Sequence, residues 1–539
     1  MLSRIEQIAI KEEATEDTAV PDGTLYDAAN CSYSLIDPSY EADLQTFERN
    51  IKRDTLTPLR GLTGMKMARV RFSLEMAGNT SSTSAPEFDL PLRSCGFRRE
   101  RLVKLTIGAI TNGPFKHGEV VIQTTSGAFG RVVSDTYTGQ TDLWVAMENM
   151  LGFDQGGSAI TMFTITGGHT LTGESSGATC AAPSAVNGST TPATILTFAS
   201  GTSLDSGAGG VAGYGYWPFS YALTRSFTRA SGGVVVAFSD GAVLKHLNTG
   251  TGAIDSWWMA WAQPPRSALS GTPPYQVSGT AAQPIYLRRV SGHLAGFTVN
   301  DVFRNTSDAT VFTPNGTGSL AEAQFQIPSL SIGCLFDGVR EAISGARGSV
   351  RIRTAIGEPA IMEFEFRGKV KSFTDGGTLS GVSYAQQLPP VVLDADFNVA
   401  TEGVSFAAEP TPYVAGVEFD MAQQIEYRKS IDAAGGLLEA HVVGKRPTFT
   451  MDPEVMPEAF HPWMANYTDN VNMRMRMRVG TSNQNKFLIT APGLAITSAG
   501  KGDRDGIKTR QIQGMLTSGA QTTSTVNRDN ELVIIYQII

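Results

Sequence analysis

Three groups of residues in this chain have types and spacings that chemistry could use. The string Gly173-Glu174-Ser175-Ser176-Gly177 has the G-x-S-x-G form of a nucleophile elbow. An elbow needs a strand before it and a helix after it, so that the serine hydroxyl stands clear on a sharp turn. Ala178-Thr179-Cys180-Ala181-Ala182-Pro183 follows instead, a poor helix start, and the string reads as a Ser/Gly turn. Glu363 and Glu365 share one face of an alternating strand and could mimic a glycosidase carboxylate pair. Nothing nearby suggests a sugar cleft, so they read as a solvated face. Met473-Arg474-Met475-Arg476-Met477-Arg478-Val479 is the strongest local pattern, with three arginines on one strand face and three methionines on the other. Stacked like charges repel and need carboxylates or phosphates as partners. The favoured partner is an acidic face of a neighbouring subunit such as Glu363 and Glu365, with DNA contact the lesser reading. Arg351 and Arg353 in Val350-Arg351-Ile352-Arg353 fit the same interface role.

Other chemistry finds no footing. No G-x-x-x-x-G-K-[ST] phosphate loop is present, and Gly500-Lys501-Gly502 lacks both the upstream Gly and the following Ser/Thr. The six histidines are scattered, with no H-x-x-x-H pair to clamp a metal. Cys31, Cys95, Cys180 and Cys334 lie far apart without a C-x-x-C pair and read as buried thiols. No catalytic, cofactor or metal residues are expected, and the chain reads as a non-enzyme.

The elements that would position these residues are strands. Charged residues are only 17% of the 539, while Gly alone supplies 57, which favours many turns and short strands over helical bundles. The net charge of −8 argues against a protein that grips phosphates. The opening MLSRIEQIAIKEEATEDTAV carries five acidic residues and no apolar h-region, so no signal peptide is expected. No run reaches the ~18 apolar residues of a membrane span.

Residues 1–30 read as an extended polar arm. Residues 31–112 hold the alternating strand Ala68-Arg69-Val70-Arg71-Phe72-Ser73-Leu74-Glu75-Met76 and a short helix from Pro86. From 113 to 320 the composition turns Gly/Ser/Thr-rich and reads as an outward-facing β-rich insertion. Within it, Gly118–Ala128 and Gly168–Ala178 share a Ser-Gly-Ala at the same offset, a pattern suited to two similar hairpins. Its Tyr214-Gly215-Tyr216-Trp217 and Trp257-Trp258-Met259-Ala260-Trp261 clusters read as core rather than as binding platforms. Residues 321–395 return to the earlier style, 396–412 read as a linker, and 413–539 as a degenerate second copy of the first domain. Ile425–Ile431 is matched to Phe47–Ile51, Gly444–Met451 to Gly64–Met76, and Gly506–Gly514 to Pro359–Gly368. Pro457 and Pro462 stand where Pro86 and Pro91 stand.

The strings Lys11–Pro21, Phe47-Glu48-Arg49, Arg69–Gly78, Leu90–Phe97, Gly345–Val350 and Gly357–Gly368 resemble the major tail tube proteins of long-tailed, siphovirus-like bacteriophages. The resemblance covers roughly 1–112 and 321–539. It implies a mainly-β fold of tandem tail-tube sandwich or barrel domains, each with a short helix, plus the inserted module. It implies a structural virion protein, assembled in the host cytoplasm, whose rings stack into a hollow tube around a tape-measure protein and pass double-stranded DNA. Other tail proteins would be further partners, and no cofactor is implied. Two domains per chain would close a ring as a trimer with pseudo-sixfold symmetry. On this reading Glu363 and Glu365 face the lumen, which carries excess negative charge. Arg474, Arg476, Arg478, Arg351 and Arg353 lie at subunit interfaces. Glu12, Glu13, Arg53, Leu56 and Leu59, on the arm and the 52–64 loop, touch the next ring. A capsid decoration protein or a receptor-binding adhesin is the alternative, and a polysaccharide depolymerase the enzyme alternative.

Overall fold

The computed structural model describes residues 6–537, apart from 14–17, 50, 52–59, 79–85, 116–118, 124–128, 133–141, 148–162, 164, 166, 174–175, 188–212, 219–222, 229–237, 240–241, 249–252, 262–275, 278–283, 293–301, 306–309, 313–320, 325–326, 337, 385–386, 394, 402–405, 407–410, 459, 481–484 and 518–530. Strand accounts for 57% and helix for 7%, and the sheets are antiparallel, so the mainly-β class is met.

Alternation decides the first set of strands. In β3 (Leu62–Glu75), Ala68, Val70, Phe72 and Leu74 are buried while Arg69 and Arg71 stay partly exposed. β6 (Ile361–Asp375) repeats the pattern, burying Met362, Phe364 and Phe366. Phe72 lies 5.5 Å from Phe364 and 5.7 Å from Phe366, ring centre to ring centre. β1 (Gln7–Glu12), β2 (Leu35–Phe47), β4 (Leu330–Phe336) and β5 (Val339–Ala355) complete this unit, with the short helix α1 (Asp89–Ser94). Pairing runs β2–β3–β6–β5–β4–β1.

The same order of pairing recurs in the last third of the chain. β7 (Asp396–Thr401) lies on β12 (Met473–Val479), β12 on β13 (Lys486–Arg504), and β13 on β14 (Ile507–Thr517). β14 pairs with β11 (Thr448–Met451), and β11 with β8 (Gly416–Asp420). β8 and β11 continue, through a kink, into the hairpin of β9 (Gln423–Lys429) and β10 (Leu437–Lys445). The helix α2 (Trp463–Thr468) occupies the place of α1. β5 also pairs with β8, Arg351 opposite Asp420 and Ala355 opposite Gly416. This joins the two units into one run of eight strands, and their apolar faces share one core.

Three boundaries read from composition move. The stretch 396–412, expected to be a linker, opens with β7, whose Phe397, Val399 and Ala400 are buried on the methionine strand. The recurrence therefore starts at Asp396. The arm is packed: β1 pairs with β4, Ile8, Ala9 and Ile10 are buried, and Leu25 and Tyr26 fill a small cluster beside Leu335. Its few apolar residues are used twice, on one short strand and in the Val20, Leu25 and Tyr26 cluster, which is enough to seat it. The insertion falls between Ser94 and Leu330, where the second unit has only the link from Thr468 to Met473.

Within that insertion, strands Val120–Gln123 and Phe129–Val132 form one hairpin, and Leu171–Gly173 and Thr179–Cys180 form another. Their first strands pair with each other, Val121 opposite Gly173. The G-x-S-x-G string spans the second hairpin's loop. Ser176 donates its N–H (2.9 Å) and its hydroxyl (2.8 Å) to the buried Glu119 carboxylate, and a strand rather than a helix follows. Trp257, Trp258 and Trp261 lie on strand Ala253–Trp261 of a separate seven-stranded sheet, and Trp217 on Gly213–Pro218. The roles expected for their side chains lie outside the described residues. Strand Gly213–Pro218 pairs with both Phe97–Thr106 and the late strand Val533–Gln537, so excising 113–320 would bare two strand edges.

Glu13 follows β1 inside the protein, where one carboxylate oxygen accepts from Ser331 Oγ and from the Gly345 N–H, each at 2.8 Å. Removing that acceptor strands two buried donors. Glu13→Ala should cost about 1–3 kcal/mol, and trypsin should then cut at Lys11. Urea unfolding and limited proteolysis would check this; unchanged protection would mean that Glu13 does not anchor the strand.

Candidate functional site

The partly open polar face of the eight strands carries alternating charge. Glu365 accepts from Arg71 at 3.0 Å and Arg367 at 2.9 Å, with Arg69 at 3.4 Å. Arg69 also faces Glu41 at 3.8 Å. Glu363 stands opposite Arg351 in register and 4.0 Å from its guanidinium, and Arg351 reaches Glu418 on β8 at 2.5 Å. Burial alone would raise the Glu365 carboxyl, but hydrogen bonds from Arg367 and Arg71 outweigh it and hold the group below its usual range. The hydrogen bond from Arg351 to Glu418 raises that guanidinium further above its ordinary value. Where β5, β8, β11 and β14 twist past one another, Arg351, Arg353, Glu418, Thr450, Gln511 and Gln513 line a shallow concavity of about 650 Å³.

The sequence-predicted groups redistribute on this frame. Glu363 and Glu365 do share a partly exposed face, but it is laced with arginines instead of being purely acidic. Arg351 and Arg353 belong to that same face, Arg353 opposite Glu418 in register, because the strand period and the β5–β8 join put them there. Arg474, Arg476 and Arg478 sit elsewhere. β12 buries Met473, Met475 and Met477 in the core, and on its other face Phe406 lies against Arg474 and Arg476 while Arg478 is exposed. The guanidinium carbons of Arg474 and Arg476 lie 4.3 Å and 5.0 Å from the centre of that ring, and Arg476 reaches Asp396 at 3.2 Å. Glu13 is internal and presents no surface to another ring, whereas Glu12 is partly exposed and contacts Arg93 at 3.4 Å. Arg53, Leu56 and Leu59 lie outside the described residues.

A buried cluster escaped the sequence reading. The Arg347 and Glu439 side chains are each 1% exposed and 3.5 Å apart. Arg347 donates to the Ile327 carbonyl at 2.8 Å and to the Ala440 carbonyl, while His441 contacts the glutamate at 2.8 Å. The pair ties β10 of the second unit onto β5 of the first. Its only trace in the sequence is an arginine among the small residues Gly345-Ala346-Arg347-Gly348, which gives no hint of the distant glutamate.

Two strand edges stay open among the described residues. Beyond Leu494, β13 pairs with β14 alone, although the matching part of β5 is covered by β8. At the other end of the run, β2 pairs with β3 alone. No group of three His, Cys, Asp or Glu side chains suited to a metal occurs among the described residues. All four cysteines are free and buried, and burial pushes the Cys31 and Cys180 thiols up to about 11. No helix among the described residues is long and apolar enough to cross a membrane. The chain matches no family model and no curated protein.

Two substitutions separate the surface pairs from the buried one. Glu365→Ala should cost less than about 1 kcal/mol, because its partners are partly exposed and screened. Glu439→Ala should cost about 3–5 kcal/mol, because it leaves the Arg347 guanidinium buried without its carboxylate. Burial raises the Glu439 carboxyl, yet the His441 hydrogen bond and the Arg347 charge outweigh it and the net shift is downward. Its contribution is therefore complete above an unfolded glutamate's pKa of about 4.3 and fades as pH falls toward the lower folded value. Urea midpoints from pH 7 to pH 3 should drop less steeply in Glu439→Ala than in the parent; parallel profiles would remove this group from the acid response.

Proposed function

We propose that the chain is the tube-forming subunit of a long-tailed bacteriophage tail, a structural virion protein and not an enzyme. One observation carries the reading: the edge that joins the two units inside the chain is left open at the chain's end. β5 receives β8, whereas the corresponding edge of β13, Ala495–Arg504, receives nothing among the described residues. The strand that matches β8 at the start of the run is the beginning of β2, and its outer edge is open too among the described residues. Repeating the β5–β8 join between chains adds eight strands per copy, head to tail. Such an interface is heterologous, and it ends in a closed ring when the rotation per copy divides a full turn.

Support for a ring of three comes from the two units per chain, which would give six similar positions. The polar face of the run would line the bore. Its paired charges suit a channel for double-stranded DNA, since unpaired cations would hold phosphates at many points. A tape-measure protein and other tail proteins are the further partners of this reading, with assembly in the host cytoplasm. A capsid decoration protein or an adhesin could also be β-rich, but neither calls for an open edge that copies an internal one.

Negative-stain microscopy of the purified chain is the direct test. Rings or hollow filaments are expected; monodisperse single chains at every concentration and salt would end the proposal. Glu363→Lys with Glu365→Lys should still assemble. It should slow DNA ejection more at low salt than at high salt, because Arg69, Arg71, Arg351 and Arg367 would then face the bore without a carboxylate on β6.

A further inference from the structure

Large apolar side chains stand exposed at both ends of the strand run. At one end, the turn between β5 and β6 is bonded to the chain ahead of β7 and to the chain ahead of β8. Gly357 donates to the Val392 carbonyl at 3.0 Å, and Ile356 to that of Ala415 at 2.9 Å. The chain after β11 continues the series: Glu454 donates to the Tyr413 carbonyl, and Val455 to that of Lys508 at the turn between β13 and β14, each at 2.9 Å. These links make one continuous rim. On it Ile356 is 65% exposed, Tyr413 64% and Leu393 60%, and Val391, Val455 and Ile507 are exposed as well. Large apolar groups set side by side on a surface mark a contact with another molecule.

The other end of the run is apolar too. Ile361, just past the β5–β6 turn, pairs with Glu75, at the far end of β3 from Leu62. Away from the rim, therefore, lie Phe47 and Leu62 at the close of β2 and β3, Phe373 near the end of β6, and Ile431 at the tip of the β9–β10 hairpin, all exposed. The two hairpin tips are neighbours, because an added Cβ at Gly436 would lie 3.6 Å from Met65. The two ends differ in charge. On the rim, Arg504 is shared by Asp452 at 2.8 Å and Glu454 at 2.7 Å, Lys508 faces Asp503 at 3.7 Å, and Arg510 faces Glu458 at 3.8 Å. Glu358 and Asp505 are exposed and have no ion pair among the described residues. The rim is net acidic even with Lys501, just inside it, counted. At the opposite end Arg49, Arg60, Arg428 and Lys429 outnumber Glu48, Asp375 and Asp432.

We infer that this rim is the face on which one ring stands upon the next, seated on the opposite end of the strand run of a second copy. This rests on the self-assembling reading above and names the surface through which its rings stack. In a ring closed through strand edges, the hydrogen bonds run round the ring and the strands run along the bore with a tilt. The two ends of the run are then the two end faces of the ring. Setting rim against rim would bring like charges together, which is costly. Setting the rim on the opposite end joins apolar to apolar and unlike charge to unlike charge. That contact is heterologous and leaves each face free for the next copy, so it repeats without closing. The stack is therefore polar, with every ring facing the same way.

The test uses the full chain. Ile356→Asp combined with Tyr413→Asp, at two exposed turn positions, should keep the parent circular dichroism and still close into rings. Stacking into filaments should then need about tenfold or more protein than in the parent. Independently, chains carrying Tyr413→Cys or Ile431→Cys should each react with a maleimide about tenfold more slowly in filaments than as single rings. The four native thiols are buried and add little background. Filaments that form normally in the doubly substituted chain would overturn this inference and leave the subunit reading standing. Protection of Tyr413→Cys without Ile431→Cys would set rim against rim, and protection of neither would leave both ends free; each result overturns it. Folded Ile356→Asp, Tyr413→Asp chains that no longer close rings would place the rim within a ring, which overturns it as well. A parent chain that never assembles would instead remove the subunit reading.

Discussion

The architecture depends on the bend in β5. One strand of seventeen residues serves two neighbours along the same edge, β4 with its first half and β8 with its second. It can do so because the ladder is interrupted at Ser344-Gly345. Gly345 has φ of +60°, a region that disfavours residues with a Cβ, and a Cβ there would lie 3.1 Å from both Cα and Cβ of Glu439. The bulge turns the strand out of one sheet and into the next. Without it, β8 would have no edge to join and Arg347 would not point at β10. The eight-strand run, the buried ion pair and the open edge of β13 all follow from that local irregularity.

The buried pair is better understood as a register device than as a source of stability. Desolvating a guanidinium and a carboxylate roughly offsets their attraction, so an apolar pair of equal volume could be as stable. Sliding β10 by one residue, however, would separate Glu439 from Arg347 and leave both charged in the interior, and it would turn Leu437 and Ala440 outward. The hairpin thus has one acceptable seat.

What could be read in advance was what alternation controls. Ala68–Glu75, Ser349–Arg353 and Ile361–Arg367 are strands with the faces their period assigns, and the Met473–Val479 pattern buries its methionines as written. The partners of those faces were not legible. Phe406, which covers Arg474 and Arg476, belongs to a segment without periodicity, and the Glu363–Arg351 contact depends on the register of a hairpin. β7 and β1 were missed for a common reason. Each is six residues long, lies at a sheet margin, and is flanked by polar or Pro-rich chain, so its strand character comes from the neighbour it pairs with. The duplicated order was visible in the sequence as four weak matches.

The place of the large insertion follows from the same duplicated frame. In the second unit the path from α2 to β12 is short and exposed at Asp469 and Asn470, with Asn470 at a positive φ of 50°. Chain entering and leaving at such a point touches neither the shared core nor the strand run. The entropy cost of lengthening a connection grows only with the logarithm of its length. A loop there in the first unit could therefore grow without disturbing β4 or β5, which is consistent with their intact pairing. Growth was not free of consequence, because strand Gly213–Pro218 now bridges Phe97–Thr106 and Val533–Gln537. The final strand of the chain pairs on one side with β13 and on the other with the insertion. It ties the added sheet to the second unit, with Trp144 of the insertion packed against Leu488, Val533 and Ile535, so the insertion is held at both of its flanks and again by this strand.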